Sequence, residues 1–169
     1  MLRLSKKADY ALIAMKHLAA DAPNGTASAR EIAERYTIPL ELLAKVLQQL
    51  TRRGFLVSQM GIHGGYHLAR PTAAISVAEI IEAIDGPLAI TACGSSDESC
   101  EQFSKCNVRD PLWRVKDRIV EVLQTISLSD MARSDESEQP LKLRMGDSDK
   151  RARSGAQVRS DPPTGTLIR

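Results

Sequence analysis

The sequence has no run of about 18 consecutive apolar residues, the length that a membrane-spanning helix needs. Its first ten residues lack the apolar core of a secretion signal, so we expect a cytoplasmic protein with no membrane partner. Neither sign of charge predominates, because 23 Lys and Arg side chains are balanced by 21 Asp and Glu side chains. The net charge of +2 permits a weak attraction to polyanions without demonstrating one.

Catalytic motifs are missing as well. The sequence contains no nucleophile elbow, no glycine-rich phosphate loop with a lysine, and no paired carboxylates in a glycine-rich frame. No internal repeat is visible, and the composition is neither collagen-like nor that of a fully disordered chain. We therefore expect a small globular protein that is not an enzyme.

The three cysteines are an odd number, so they do not form a closed disulfide framework. Six residues separate Cys93 from Cys100, and five separate Cys100 from Cys106. Because the intervening loop is polar and lets the sulfurs converge, it suits an iron–sulfur cluster, zinc or copper(I). Structural zinc sites usually have closer cysteine pairs, so the spacing argues against zinc. An inert set of thiols or a redox disulfide is the alternative.

The chain divides into four segments. Residues 1–92 have the pattern of a folded domain, and residues 93–110 form the cysteine-bearing loop. Residues 111–132 are predicted to form a helix. Residues 133–169 mix Ser, Asp, Arg, Gly and Pro with few apolar anchors, so we expect a disordered tail there.

The first segment predicts a mostly α fold. Apolar side chains recur at helical spacing from Ala8 to Ala19, and a capping box at Ser28 and Glu31 starts a second helix. A third helix follows Pro39, and its buried stripe is predicted to be Leu40, Leu43, Leu47 and Leu50. A glycine-tipped hairpin and a fourth helix complete the segment.

Three helices followed by a hairpin within about 70 residues is the order of a winged helix-turn-helix domain. The alternative is a small helical domain in which the hairpin has no role. In a winged helix-turn-helix the third helix enters the major groove of DNA, and the wing reaches the minor groove. The predicted DNA contacts are therefore Pro39, Glu41, Lys45, Gln48 and Arg52 on the helix and Gly61, His63, Gly64 and Gly65 in the wing. Any one of these residues is equally well explained as a solvated surface or a tight turn, so only the set points to DNA.

The helix over residues 111–132 has a narrow apolar seam. Its apolar residues are spaced three and four apart, which is typical of paired helices; they are Leu112, Val115, Ile119, Val122 and Ile126. We predict a long C-terminal dimerisation helix, because a palindromic operator requires two copies of the DNA reader. Packing on its own domain is the alternative.

Several segments together resemble the IscR/NsrR family of bacterial iron–sulfur transcription regulators, especially the branch that regulates SUF-type cluster assembly. The resemblance covers residues 1–132, and it is carried by Leu4–Leu12, Gly54–Ser58, Gly61–Tyr66, Val77–Gly86 and the three cysteines. It implies a homodimer that binds double-stranded DNA at a palindromic operator.

The resemblance also implies an iron–sulfur cluster held by Cys93, Cys100 and Cys106, with [2Fe-2S] favoured and [4Fe-4S] as the alternative. Some members add a histidine three residues after the last cysteine, where this chain has Arg109. In the nitric-oxide-sensing branch an aspartate of the partner subunit is the fourth ligand, and Asp9 matches its position.

The DNA-reading residues depart from the family pattern. Relatives often carry an arginine before the first glycine of the wing, which can enter a narrow minor groove. This chain has Met60 there, with His63 as a substitute reader. Pro39, Glu41 and Ala44 also differ from the housekeeping regulator, so the operator sequence cannot be carried over.

The expected function is that of a transcriptional repressor that senses cluster status, redox state or nitric oxide and controls iron–sulfur assembly or stress genes. The alternative is an iron–sulfur or metal carrier or scaffold without sequence-specific DNA binding. Salt-dependent binding to a palindromic duplex separates the two.

Overall fold

The computed structural model describes residues 4–22, 25–61, 64–88, 101 and 105–133. Three predicted site residues, Cys93, Cys100 and His63, lie outside the described residues, as does the predicted tail beyond Arg133. The described elements are, in chain order, α1 (Lys6–Ala20), β1 (Thr26–Ala27), α2 (Ala29–Tyr36), α3 (Leu40–Arg52), β2 (Leu56–Gln59), β3 (Gly65–Leu68), a 3-10 helix (Thr72–Ala74), α4 (Val77–Asp85), α5 (Arg109–Thr125) and α6 (Leu128–Arg133). The predicted mostly α, winged helix-turn-helix fold is confirmed.

Side-chain caps fix where the helices begin. The predicted capping box at α2 is present, because the Glu31 N–H donates to Ser28 Oγ at 3.1 Å and the Ser28 N–H donates to the Glu31 carboxylate. A second capping box, between Ser76 and Glu79, starts α4. These contacts satisfy backbone donors that a helix start leaves free.

The turn between α2 and α3 is held by backbone geometry. Thr37 adopts a left-handed conformation with a φ of 54°. The next residue, Ile38, donates its N–H to the Ala33 carbonyl at 2.9 Å and buries its side chain. The turn therefore fixes the direction in which α3 leaves α2.

Helix α1 lies at the centre of the core and contacts α3, α4, α6 and β3. Three of the four leucines predicted as the buried stripe of α3, Leu43, Leu47 and Leu50, are fully buried. The prediction is wrong for Leu40, which is 41% exposed. Leu40 is the first residue of α3 and lies at the rim of an open groove beside the turn, so no neighbouring element described in the structure covers it completely.

The sheet has one strand that the sequence pattern did not predict. Strand β1 has two residues, too few to show alternation, and it pairs antiparallel with β3 in the order β1-β3-β2. A Cβ atom at Gly65 would lie 2.6 Å from the Ala27 carbonyl oxygen. Glycine at position 65 therefore allows β1 to approach β3.

The predicted helix over residues 111–132 is two helices. Helix α5 begins at Arg109 and ends at Thr125, and the chain then pairs with the residues that precede α4. Val77 N–H donates to the Ile126 carbonyl at 2.9 Å, and Leu128 N–H donates to the Ile75 carbonyl at 2.8 Å. Helix α6 then packs on α1, with Leu128 fully buried in the core. In the described part of the chain, no helix has the length and apolar content that spanning a membrane requires.

We expect Leu128→Ala to lower the free energy of unfolding by about 2–5 kcal/mol, because it leaves a cavity in the core. Leu40→Ala makes the same chemical change at an exposed position and should cost less than about 1 kcal/mol. Urea unfolding followed by circular dichroism measures both values. Equal losses for the two variants would contradict the packing of α6 into the winged-helix core.

Candidate nucleic-acid interface and metal centre

The exposed face of α3 brings the predicted DNA contacts together. Pro39, Glu41, Lys45, Gln48 and Arg52 are all exposed, as predicted. The last four recur at helical spacing, so they share the face opposite the buried leucines. In the described part of the chain, the charged side chains of this face form no ion pair with another residue, so they are available to a ligand.

The charges on α3 follow the helix dipole. Glu41 lies in the first turn and Arg52 in the last, where each is favoured by the partial charge of its helix end. A carboxylate in a first turn can accept a hydrogen bond from a cytosine amino group, whereas an arginine at the far end suits a phosphate. The face can therefore contact both bases and backbone.

The wing glycines have structural reasons for their identity. Gly61 has a φ of 125°, which L side chains rarely adopt, and its carbonyl accepts the Gly64 N–H at 2.9 Å. A Cβ atom at Gly64 would collide with the Gln59 carbonyl oxygen, and Gly65 makes room for β1. The structure thus explains these glycines by the hairpin and the sheet, and their contact with DNA stays a prediction.

Met60 is the most distinctive residue of the wing tip. Its side chain is 98% exposed, although methionine is usually buried. The wing therefore presents an uncharged, flexible side chain at the position where an arginine would add a positive charge.

The carboxyl end of α4 joins three parts of the molecule. The Gln49 side-chain amide, from α3, donates to the Ala83 carbonyl at 2.9 Å and to the Ile84 carbonyl at 3.3 Å. The Asp85 carboxylate accepts hydrogen bonds from the backbone N–H and the hydroxyl of Ser5, the residue that caps α1. The chain continues from this point toward the cysteine segment, so we call these contacts the α4 junction. The sequence pattern gives no sign of the contact between Gln49 and α4, because glutamine at this position is typical of a polar helix surface.

The described metal-ligand candidates are Cys106 and Asp9. Cys106 is a free, half-buried thiol, three residues before α5 begins. Asp9 is exposed in the first turn of α1. The residues that the structure describes contain no group of three or more His, Cys, Asp or Glu side chains able to hold a metal ion. Cys93 and Cys100 lie outside them, so the complete ligand set stays a prediction.

Arg109, at the position of the histidine ligand of some relatives, has other contacts. Its Nε donates to Asp110 at 2.9 Å, and its guanidinium lies 5.3 Å from the centre of the Trp113 ring. An always-protonated guanidinium is not a metal ligand. Arg109 instead contacts two neighbouring residues of the first turns of α5.

His17 is a structural histidine. It is buried, and its Nδ1 lies 3.3 Å from the Tyr36 hydroxyl, which donates to the Asp21 carboxylate. Burial lowers the pKa of His17, so the ring is neutral at physiological pH. The contact joins the ends of α1 and α2 and thereby supports the helix-turn-helix.

The predicted apolar seam is partly covered: Leu112, Ile119 and Ile126 are half-buried, and Ile126 lies beyond the end of α5. No residue of α5 is buried, and the seam residues Val115 and Val122 are 49% and 38% exposed. An open apolar groove runs along this face beside Ile119 and Leu123. The described residues of one chain therefore leave the exposed part of the seam free for another molecule.

Comparison with known proteins decides the family. The family model for Rrf2, described as an iron-dependent transcriptional regulator, matches residues 4–134. The chain belongs to the Rrf2 family. Its relatives include a putative helix-turn-helix transcriptional regulator of Azotobacter vinelandii, 40% identical over 136 residues that cover 79% of this chain and 82% of that protein. The regulator IscR of Xenorhabdus nematophila is 34% identical and covers 80% of this chain and 82% of its own length.

Solved structures agree with this assignment. The IscR of T. potens has a TM-score of 0.64 and 31% identity, and the match covers 82% of this chain and 93% of that one. CymR, described as the global cysteine regulator of B. subtilis, has a TM-score of 0.63 and 29% identity over 78% of this chain and 97% of its own. As predicted, this Rrf2 chain is a transcriptional regulator and not an enzyme.

We expect Met60→Arg to make DNA binding more dependent on salt. If the wing tip contacts DNA, each added cation releases one further counterion from the DNA. A plot of the logarithm of the association constant against the logarithm of the salt concentration should therefore become steeper by about one unit per wing. Fluorescence anisotropy with a duplex at several salt concentrations measures the slope. Met60→Gln, which is polar but uncharged, is the control and should keep the original slope. Identical slopes for all three proteins would place the wing tip away from DNA.

Proposed function

We propose that this Rrf2 chain is a cytoplasmic, homodimeric repressor that binds a palindromic operator and responds to the state of an iron–sulfur cluster. Cys93, Cys100 and Cys106 of one subunit hold the cluster together with Asp9 of the partner subunit. The regulated genes are those of iron–sulfur assembly or stress responses. The exposed part of the α5 seam is the observation that carries the proposal. It offers a surface on which a second copy of the chain binds, and both the palindromic operator and the fourth ligand require that second copy.

A second α5 is the occupant that fits the seam best. The exposed Val115 and Val122 are seven residues apart, and the half-buried Leu112 and Ile119 complete three- and four-residue steps along α5, the spacing at which a partner helix buries such a seam. Crossing two such helices would remove Val115 and Val122 from water. It would also place two winged-helix domains on one twofold axis, as a palindromic operator demands.

The available donors suit an iron–sulfur cluster. Cysteine thiolates are the usual ligands of such clusters, and Cys106 is an unpaired thiol in the described part of the chain. When bound, the cluster supplies an iron centre that is sensitive to oxidation and to small ligands. The Asp9 carboxylate has no ion pair within the described residues and is exposed, so it is free to reach another subunit. A carboxylate binds iron in such a site less firmly than thiolates do, which makes it the ligand that is lost first.

The α4 junction gives the cluster segment a physical route to DNA. In this proposal, cluster binding orders the cysteine segment and so restrains the chain that follows Asp85. The carboxyl end of α4 is restrained with it, and its hydrogen bonds with Gln49 hold α3 in one position. Release of the segment loosens the same end. Because Asp85 also holds Ser5 at the start of α1, the helix that carries Asp9 is restrained by the same contact.

The carrier alternative lacks a comparable observation. A carrier needs neither an exposed recognition face on α3 nor membership of a family of transcriptional regulators. Sequence-specific, salt-dependent binding to a duplex is expected only of the regulator.

Exchange of ligands between subunits tests the proposal. Asp9→Ala and Cys106→Ser chains, carrying different tags, are co-expressed, purified as a heterodimer without oxygen and supplied with ferrous iron and sulfide. We expect one cluster per heterodimer with the wild-type Mössbauer and absorbance spectra, because one subunit keeps its cysteines and its partner keeps Asp9. The Asp9→Ala homodimer should give an altered spectrum, and the Cys106→Ser homodimer should hold little iron.

Other outcomes each contradict one part of the proposal. A heterodimer with the altered spectrum of the Asp9→Ala homodimer would place Asp9 in the same subunit as its cysteines. An Asp9→Ala homodimer with the wild-type spectrum would remove Asp9 from the ligand set. Colourless wild-type protein without iron or labile sulfide would exclude the cluster. Glu34→Ala removes another exposed carboxylate and serves as the control, which should leave the spectrum unchanged.

A further inference from the structure

An exposed leucine stands at the tip of the recognition helix. Leu40 is the first residue of α3, and 41% of it remains accessible, although the sequence pattern assigns it to the buried stripe. Isolated exposed apolar residues are common on protein surfaces and need no explanation alone. The position of Leu40 is what makes it informative, because the first turn of a recognition helix is the part that meets base edges.

Leu40 lines an open groove of mixed character. The lining includes Ala33, Thr37, Ile38 and Pro39 together with the charged residues Arg30 and Glu34 of α2, and Ala44 lies one turn further along the same side of α3. Leu40 and Ala44 form an edge beside the polar face of Glu41, Lys45 and Gln48. A ligand seated on the first turn of that face therefore lies next to Leu40.

Within the described residues, no side-chain cap covers the start of α3. Pro39 occupies the capping position, and it makes no side-chain capping hydrogen bond. The neighbouring turn is fixed by the buried Ile38, so the exposed leucine is held in place by a rigid support. A fixed apolar side chain at this point selects an apolar feature of its ligand.

The major groove of DNA presents one apolar group on its base edges, the C5-methyl group of thymine. We propose that Leu40 contacts this methyl group and is a specificity-determining residue for thymine at one position of each half-site. The inference rests on the proposed DNA-binding function, and it is independent of the cluster. Burial of one methyl group corresponds to an affinity gain of about two- to fivefold.

Removal of single methyl groups from DNA tests the contact. A preferred duplex is selected from a randomised library with the wild-type protein, and each thymidine is then replaced singly by deoxyuridine. We expect wild-type affinity to fall about two- to fivefold at one thymine per half-site. Leu40→Ala should bind the thymidine and deoxyuridine duplexes equally at that position, whereas Leu40→Met should keep part of the discrimination.

The controls separate loss of contact from loss of fold. Val108→Ala removes another exposed apolar side chain, outside α3, and should discriminate as the wild type does. Circular dichroism and urea unfolding establish that the Leu40 variants are folded. The inference would be overturned if Leu40→Ala still distinguished thymidine from deoxyuridine as well as the wild type does, or if the wild type bound all the deoxyuridine duplexes with unchanged affinity. Neither result would affect the proposed function. A library that yields no preferred sequence would instead overturn the proposed function, and this inference with it.

Discussion

The hydrogen bonds from Gln49 to the last carbonyl groups of α4 are the contacts on which the proposed coupling depends. A helix leaves its final carbonyls without partners, and here a side chain of the recognition helix supplies the missing donor. The position of α3 is therefore tied to the end of α4, after which the cysteine segment follows in the sequence. The Asp85 carboxylate makes the complementary contact at the start of α1, so the α4 junction holds two helices at once.

A second set of contacts fixes the amino end of α4. After α5 the chain pairs with the residues that precede α4, and Leu128 enters the core beside α1. The carboxyl end of α4 is thus fixed by α3 and α1. Its amino end is fixed by the residues that follow α5. Under the proposed function, a change in the cysteine segment or in the pairing of two α5 helices would act on this same helix and so reach α3.

The sequence predicted those features that depend on local chemistry. Periodicity located the helices, and the Ser28 capping box appeared where its residue types required it. Features that depend on tertiary neighbours were not predictable. Leu40 satisfies the apolar period of α3 but lies beyond the covered part of the helix, Gln49 resembles any polar surface residue, and β1 is too short to show a pattern. The metal-ligand set could be predicted only from the cysteine spacing and the family resemblance, because Asp9 is one exposed carboxylate among many.

Operator affinity tests most directly whether the Gln49 contacts couple the cysteine segment to DNA binding. The affinity is measured for cluster-loaded and for cluster-free protein, and the ratio of the two is compared between the wild type and Gln49→Ala. We expect the two affinities of the wild type to differ at least about fivefold, in either direction. The two affinities of Gln49→Ala should be nearly equal, with unchanged iron content. Gln124→Ala removes an exposed glutamine of α5 that lines the groove beside α4 but forms no side-chain hydrogen bond within the described residues, so it should keep the wild-type ratio. A folded, fully loaded Gln49→Ala protein with the wild-type ratio would show that the signal does not pass through the α4 junction.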